Sequence, residues 1–183
     1  MLDHYFIDAY NVIHKSSYLR QQAQRDLELA RETLLEMSFA FSLVGQNEIT
    51  VVFDGKELQY DIPILHRLGN APNLHIFFSP HGTTADTVIE RKIYQAQNRM
   101  RCIVVSNDRS LREQCRGMGA MTMEADSFIS TIKQMQQRTQ EQLSSRVKSR
   151  ATLIEDRLNS RSLEALAAIR EEIVSAGDKR KKR

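Results

Sequence analysis

Cysteine is scarce in this chain, whose 183 residues include only Cys102 and Cys115. Two cysteines cannot build a disulfide framework, and this pair lacks metal-ligand spacing. One precedes an apolar run and the other falls in an expected helix, so both read as ordinary thiols. Long apolar runs are missing too, and with them any segment that would span a membrane as a helix. Met1 to Ile7 has no basic start and is soon interrupted by polar residues, so it does not read as a signal peptide. The expectation is a cytoplasmic protein without membrane contact. No Pro/Gly linker divides the chain and no internal repeat is visible. The length fits one domain with an extension better than two full domains.

Charge is present in ordinary amount but unevenly placed. Residues 1–131 carry 13 Lys/Arg against 16 Asp/Glu, whereas residues 132–183 carry 13 against 7. An acidic body suits cations, and a basic extension suits a polyanion. The expected organisation is a domain over 1–130, a basic helical extension over 131–177 and a disordered basic tail over 178–183.

Apolar patterning sketches the fold. His4 to Ile7, Ile49 to Phe53, Leu74 to Phe78 and Cys102 to Val105 read as strands, with Ala120 to Met123 a fifth. Arg25 to Val44 has helical spacing through Leu27, Ala30, Leu34, Met37 and Phe41. Thr83 to Asn98 reads as a helix with Thr83 or Thr84 as N-cap and Val88, Ile89, Ile93 and Ala96 on its apolar face. A short helix is expected from Ser110, with Ser110 and Glu113 as a capping box and Gly117 and Gly119 ending it. From Ser127 the pattern is helical and polar. Strands alternating with helices predict an α/β fold with a mostly parallel central sheet and helices on both faces, followed by a helical C-terminal extension.

Three of the strands end in the same manner. Tyr5-Phe6-Ile7 runs into Asp8, Val51-Val52-Phe53 into Asp54, and Ile103-Val104-Val105 into Ser106-Asn107-Asp108. In a parallel sheet these ends share one edge, where open α/β sheets bind ligands. Asp86 adds a carboxylate from the first turn of the Thr83–Asn98 helix. Crowded carboxylates repel unless a cation neutralises them, and Mg²⁺ and Mn²⁺ favour such oxygen-rich sites. Each residue alone has a plainer reading. Asp8 could cap a turn, Asp54-Gly55 could be a turn, Asn107 and Asp108 could cap a helix, and Asp86 could serve a helix dipole. Capping alone does not call for aspartates at three strand ends. His81, beside Gly82, is the nearest candidate for a general base, but a loop histidine is more often solvated.

The segments Phe6-Ile7-Asp8-Ala9-Tyr10-Asn11-Val12-Ile13, Val51-Val52-Phe53-Asp54, Thr84-Ala85-Asp86-Thr87-Val88-Ile89-Glu90 and Val104-Val105-Ser106-Asn107-Asp108 resemble the NYN domain proteins of the YacP-like group. Ala9 stands where glycine is also common in that group. The resemblance covers roughly residues 3–130. It implies a PIN-like, Rossmannoid three-layer fold, similar to FLAP-type nucleases, and divalent-metal endoribonuclease activity with Mg²⁺ or Mn²⁺. One bacterial branch of the group cleaves mRNA on the ribosome, so RNA and the ribosome become expected partners. By position, Asp8, Asp86 and Asp108 are the implied catalytic metal ligands, with Asp54 a peripheral member and Asn11 a polar companion. Ser106, Asn107 and Thr84 are candidates to touch substrate phosphate, as is Asn11 through its amide. Glu90, one turn after Asp86, is a further ligand or an ordinary surface partner.

Other classes fit less well. A haloacid dehalogenase-type phosphotransferase needs a second aspartate two residues after the first, and Tyr10 stands there. A flap nuclease acting on DNA usually carries helical clamping parts for which this chain is short. A non-catalytic RNA- or ribosome-binding factor on the same fold is the alternative. Retention of Asp8, Asp86 and Asp108 speaks against it. Lys133, Arg138, Arg146, Lys148, Arg150, Arg157, Arg161, Arg170 and the Lys179–Arg183 tail would attract RNA without regard to sequence and in a salt-dependent way. Their plainer reading is a solvated polar helix.

Overall fold

A computed structural model describes residues 2–55 and 72–155, with only the helical backbone described over 146–155. The expected readings of Arg157, Arg161, Arg170 and the 178–183 tail lie outside the described residues.

Five strands form one sheet: β1 (His4–Asp8), β2 (Glu48–Phe53), β3 (Leu74–Phe78), β4 (Cys102–Val105) and β5 (Met121–Met123). Their order is β3-β2-β1-β4-β5, and every pairing is parallel. The chain first builds outward from β1 through β2 to β3. It then crosses back to place β4 on the other side of β1. That reversal opens a crevice at the carboxyl ends of β1 and β4, where doubly wound sheets take ligands.

Alternation along the strands sorts two cores. Tyr5, Ile7, Ile49, Val51, Phe53, Ile103 and Val105 face one side. There they meet α1 (Ala9–Lys15), α2 (Ser17–Ala23), α3 (Leu27–Gly45) and the start of α6 (Ala125–Glu155), through Val12, Ile13, Leu19, Leu34, Leu35, Phe128 and Ile132. Phe6, Val52, Cys102 and Val104 face the other side, against α4 (Ala85–Gln95) and α5 (Arg109–Gly117), through Ile89, Ile93, Leu111 and Cys115. These are the three layers expected. Burying each large apolar side chain stabilises the fold by about 1.5–3 kcal/mol. Both cysteines are buried and free.

Local chemistry sets the ends of the helices. Asp26 caps α3 by accepting from the backbone N–H groups of Glu28 and Leu29. At the far end, Gln46 takes the left-handed conformation (φ 51°) while Gly45 stays helical. A Cβ on Gly45 would require the Asn47 and Met135 side chains to shift. Thr84 caps α4 as expected, but that helix ends at Gln95 and a short 3-10 turn, Arg99–Arg101, follows. The expected capping box at Ser110 is replaced. Asp108 caps α5 through the Leu111 N–H at 3.0 Å, and Glu113 pairs with Arg109 at 2.7 Å. An aspartate already held at the end of β4 reaches the first free N–H groups before Ser110 can.

Two short helices, α1 and α2, occupy Ala9 to Ala23, where the sequence pattern predicts no helix. Units of seven residues are marginal alone, and here buried Val12, Ile13 and Leu19 hold them. The chain divides into Met1–Gln137 and Arg138–Arg183, and of the second unit only Arg138–Glu155 is described. In α6, Phe128 and Ile132 are buried while Leu143 is exposed. Among the described residues no helix is long and apolar enough to cross a membrane.

Candidate active site

The strand alternation that points Phe6, Val52 and Val104 toward α4 and α5 continues to Asp8, Asp54 and Ser106. Asp8 ends β1 in register with Val52 of β2. It is 7 % exposed and does two jobs at once. Oδ1 accepts from the Asn11 backbone N–H at 3.3 Å, capping α1, and Oδ2 accepts from the Ser106 hydroxyl at 3.1 Å. Ser106 also accepts from the Asp108 N–H at 3.1 Å, so one buried hydroxyl fixes the first and last aspartates of the set.

Two amide side chains brace this crevice. Asn11 Oδ1 accepts from the Asn107 N–H at 2.7 Å, and Asn107 Oδ1 accepts from the Ala125 N–H at 2.8 Å, tying the β4 loop to the start of α6. The carbonyl end of each asparagine is thus engaged in holding the fold, which leaves the amide N–H₂ ends as the groups able to meet a phosphate oxygen.

The carboxylates act on one another electrostatically. The Asp8 carboxyl is pushed up to about 6, first by burial, with Asp86 and Asp54 adding to the rise against the hydrogen bonds from Asn11 and Ser106. Asp86 is also raised, by burial and then by Asp108, Glu90 and Asp54. Asp8, Asp54, Asp86, Asp108 and Glu90 therefore share one field, and among the described residues none of them forms a salt bridge with a base. No three His, Cys, Asp or Glu side chains among the described residues already stand at metal-ligand spacing. The donor set itself suits a hard divalent cation, because it is all carboxylate oxygen, partly desolvated and uncompensated.

Asp54 has a partner that the sequence did not reveal. Ser79, fully buried after β3, donates to Asp54 Oδ1 at 3.1 Å and accepts from the Gly55 N–H at 2.8 Å. Its only signal is position, a polar residue closing a strand as in the other three cases. Beside it, Asp54, Gly55, Pro80, His81, Gly82 and Thr84 line a cleft of about 590 Å³. Thr84 caps α4 by accepting from the Thr87 N–H at 3.3 Å, and its hydroxyl lies 3.0 Å from that of Thr87. Asp8, Asn11, Ser106, Asn107 and Asp108 thus form one bonded network. Asp86 joins it through charge, and Asp54 and Thr84 share the neighbouring cleft.

The fold and site define a doubly wound parallel α/β domain with aspartates at the carboxyl edge of its sheet. The model of the YacP-like NYN domain matches residues 5–171, and the chain belongs to that family. The fold is similar to the crystal structure of Rae1 (YacP) from Bacillus subtilis, at 20% identity and TM-score 0.65, covering 99% of this chain and 95% of that one. A single-substitution mutant of the same Bacillus subtilis protein matches at 19% identity and TM-score 0.63, covering 79% of this chain and 83% of that one. No curated protein matches.

Proposed function

We propose that this protein is a cytoplasmic, divalent-metal-dependent endoribonuclease. The observation that carries the reading is Asp8. A carboxyl buried at the switch point, and pushed up to about 6 with Asp86 and Asp54 adding to the rise, is a costly arrangement for stability alone. Asp8, Asp86 and Asp108 would hold Mg²⁺ or Mn²⁺, with Asp54 at the margin. Such an ion supplies charge neutralisation and an activated water for phosphodiester hydrolysis.

The remaining roles belong to the chain. Ser106 holds the Asp8 carboxylate in one orientation and restrains Asp108 through its backbone. Asn11 and Asn107 present amide N–H groups to a phosphate oxygen from positions fixed by their carbonyl ends. Thr84 and the start of α4 border the cleft beside Asp54 and favour an anion there. The excess of Lys/Arg after residue 131 favours RNA as the polyanion. Membership of the YacP-like family makes mRNA on the ribosome the first substrate context to examine.

The test is cleavage of a mixed RNA pool, with and without translating ribosomes, in Mn²⁺, Mg²⁺ or EDTA. Wild type is compared with the Asp8→Asn, Asp108→Asn double variant. Metal-dependent cuts that vanish in the variant are expected. Retained RNA or ribosome binding with no cutting under any condition would leave a non-catalytic binding factor.

A further inference from the structure

We propose that the groove between α4 and α5 is a subsite for single-stranded RNA, in which one base of the strand flanking the cut stacks on Tyr94. This rests on the nuclease reading for what happens at the acidic edge, but the groove has its own observations. Thr87, Glu90, Arg91 and Tyr94 from α4, with Gln114 from α5 and Met118 just after it, line a cavity of about 440 Å³. The four α4 positions recur at steps of three and one and three, so they form one face of that helix.

The groove begins at the acidic site. Glu90 lines it and also contributes to raising the Asp86 carboxyl, so that residue belongs to both places. From Asp86 to Tyr94 the helix rises about 12 Å, a distance that an extended strand crosses in a few nucleotides.

Tyr94 has the features of a stacking platform. It is 68% exposed, unusual for an aromatic ring in a folded domain. The Arg99 guanidinium lies over its ring at 5.2 Å and donates to the Tyr94 carbonyl oxygen at 2.8 Å. The cation thus orients the ring before any ligand arrives, and a base on the ring would extend that stack. Arg91 lines the groove beside it and forms no salt bridge among the described residues, which leaves its charge for a phosphate. Met118 offers a polarisable apolar wall to the same base. An aromatic ring, an unbridged guanidinium and an apolar wall suit a sequence-tolerant nucleic-acid strand better than a peptide helix, which would need a longer apolar stripe.

The experiment uses the full chain in EDTA with a single-stranded RNA carrying 2-aminopurine, so that binding is read apart from cutting. Wild type should quench the probe on binding. Tyr94→Ala should weaken binding about tenfold and lose the quench, whereas Tyr94→Phe should keep both. Arg91→Gln should weaken binding less and flatten its salt dependence. Equal binding and quenching by wild type and a folded Tyr94→Ala protein would overturn the groove while leaving wild-type cleavage untouched. Tyr94-dependent quenching in a wild type that cuts nothing would keep the base subsite and overturn the nuclease reading instead. Loss of a bound peptide or protein with Tyr94→Ala, and no effect on RNA, would also overturn the proposal.

Discussion

The two edges of the sheet are built from the same strands and treat charge in opposite ways. At the amino edge, acids lie beside basic side chains. Asp3 meets Arg101 at 3.3 Å, and Glu48 lies between His4 at 3.6 Å and His75 at 3.3 Å. His4 also bonds the hydroxyl of buried Thr50 at 2.8 Å, and Lys92 sits over Phe77 at 3.5 Å. At the carboxyl edge, four aspartates and Glu90 share a field with no basic partner among the described residues. The amino edge is half-exposed and each pair there contributes little, about 0–1 kcal/mol. The carboxyl edge holds unfavourable charge in place by hydrogen bonds. The amino edge sets each acid beside a guanidinium or an imidazole, whereas the carboxyl edge keeps its carboxylates without a base among the described residues.

The sharpest way to break this contrast is to remove charge from the acidic edge. The Asp8→Asn, Asp108→Asn protein should lose metal-dependent RNA cleavage by more than the ~10–100-fold that loss of a metal's supporting partner costs. Single-turnover cleavage in Mn²⁺ measures it, and a folded double variant with wild-type rates would end the assignment of these residues.

The same edge should also depress stability. The Asp8 carboxyl titrates at about 6 in the folded chain against an ordinary 3.8. Below pH ~4 it is protonated in both states and costs nothing. As pH rises through that window the unfolded carboxyl ionises first, so stability falls, by roughly 3 kcal/mol above pH ~6 without metal. Asp8→Asn keeps the cap acceptor and should flatten that slope, leaving the part contributed by the raised Asp86 carboxyl. Urea unfolding at pH 4.5 and 7.5 in EDTA compares the two, and identical slopes would show that the Asp8 carboxyl is not the source of the pH dependence.

Bracing is a smaller matter. Asn107→Ala removes the acceptor of the Ala125 N–H and should cost about 1–2 kcal/mol, read from the urea midpoint. No change would mean that another acceptor replaces it.

The smallest effect belongs to the amino edge. His4 is lowered chiefly by burial, with Glu48 acting in the opposite direction. The unfolded histidine therefore binds a proton first as pH falls below about 6.5, and stability declines in that direction. Glu48→Gln removes the supporting charge and should steepen the decline. Melting temperatures at pH 7.5 and 5.5, measured in the Asp8→Asn background, separate this slope from the larger one. A shallower decline would show that Glu48 does not support protonated His4.

The local features of this protein were legible without its structure. Apolar runs ended by Asp8, Asp54 and Ser106-Asn107-Asp108 carry their own signal, because a buried strand and the polar residues that stop it are neighbours in sequence. Their common edge followed from parallel topology, and the cap was narrowed to Thr83 or Thr84, of which the structure selects Thr84. The short helices α1 and α2 were not legible, because seven residues give too little periodicity and their stability comes from burying Val12, Ile13 and Leu19. Ser79 was missed because one serine after a strand says nothing until Asp54 is found beside it.

The sequence by itself determined the strands, the acidic character of their ends and the family pattern. Only the tertiary structure decided that Ser106 links Asp8 to Asp108, that Asn11 and Asn107 commit their carbonyls to the fold, and that Tyr94 lines a groove shared with Glu90. Strand formation depends on side chains a few positions apart. These contacts join residues as far apart as Asn11 and Asn107, and their energies exist only once the sheet has brought the backbones within hydrogen-bond reach.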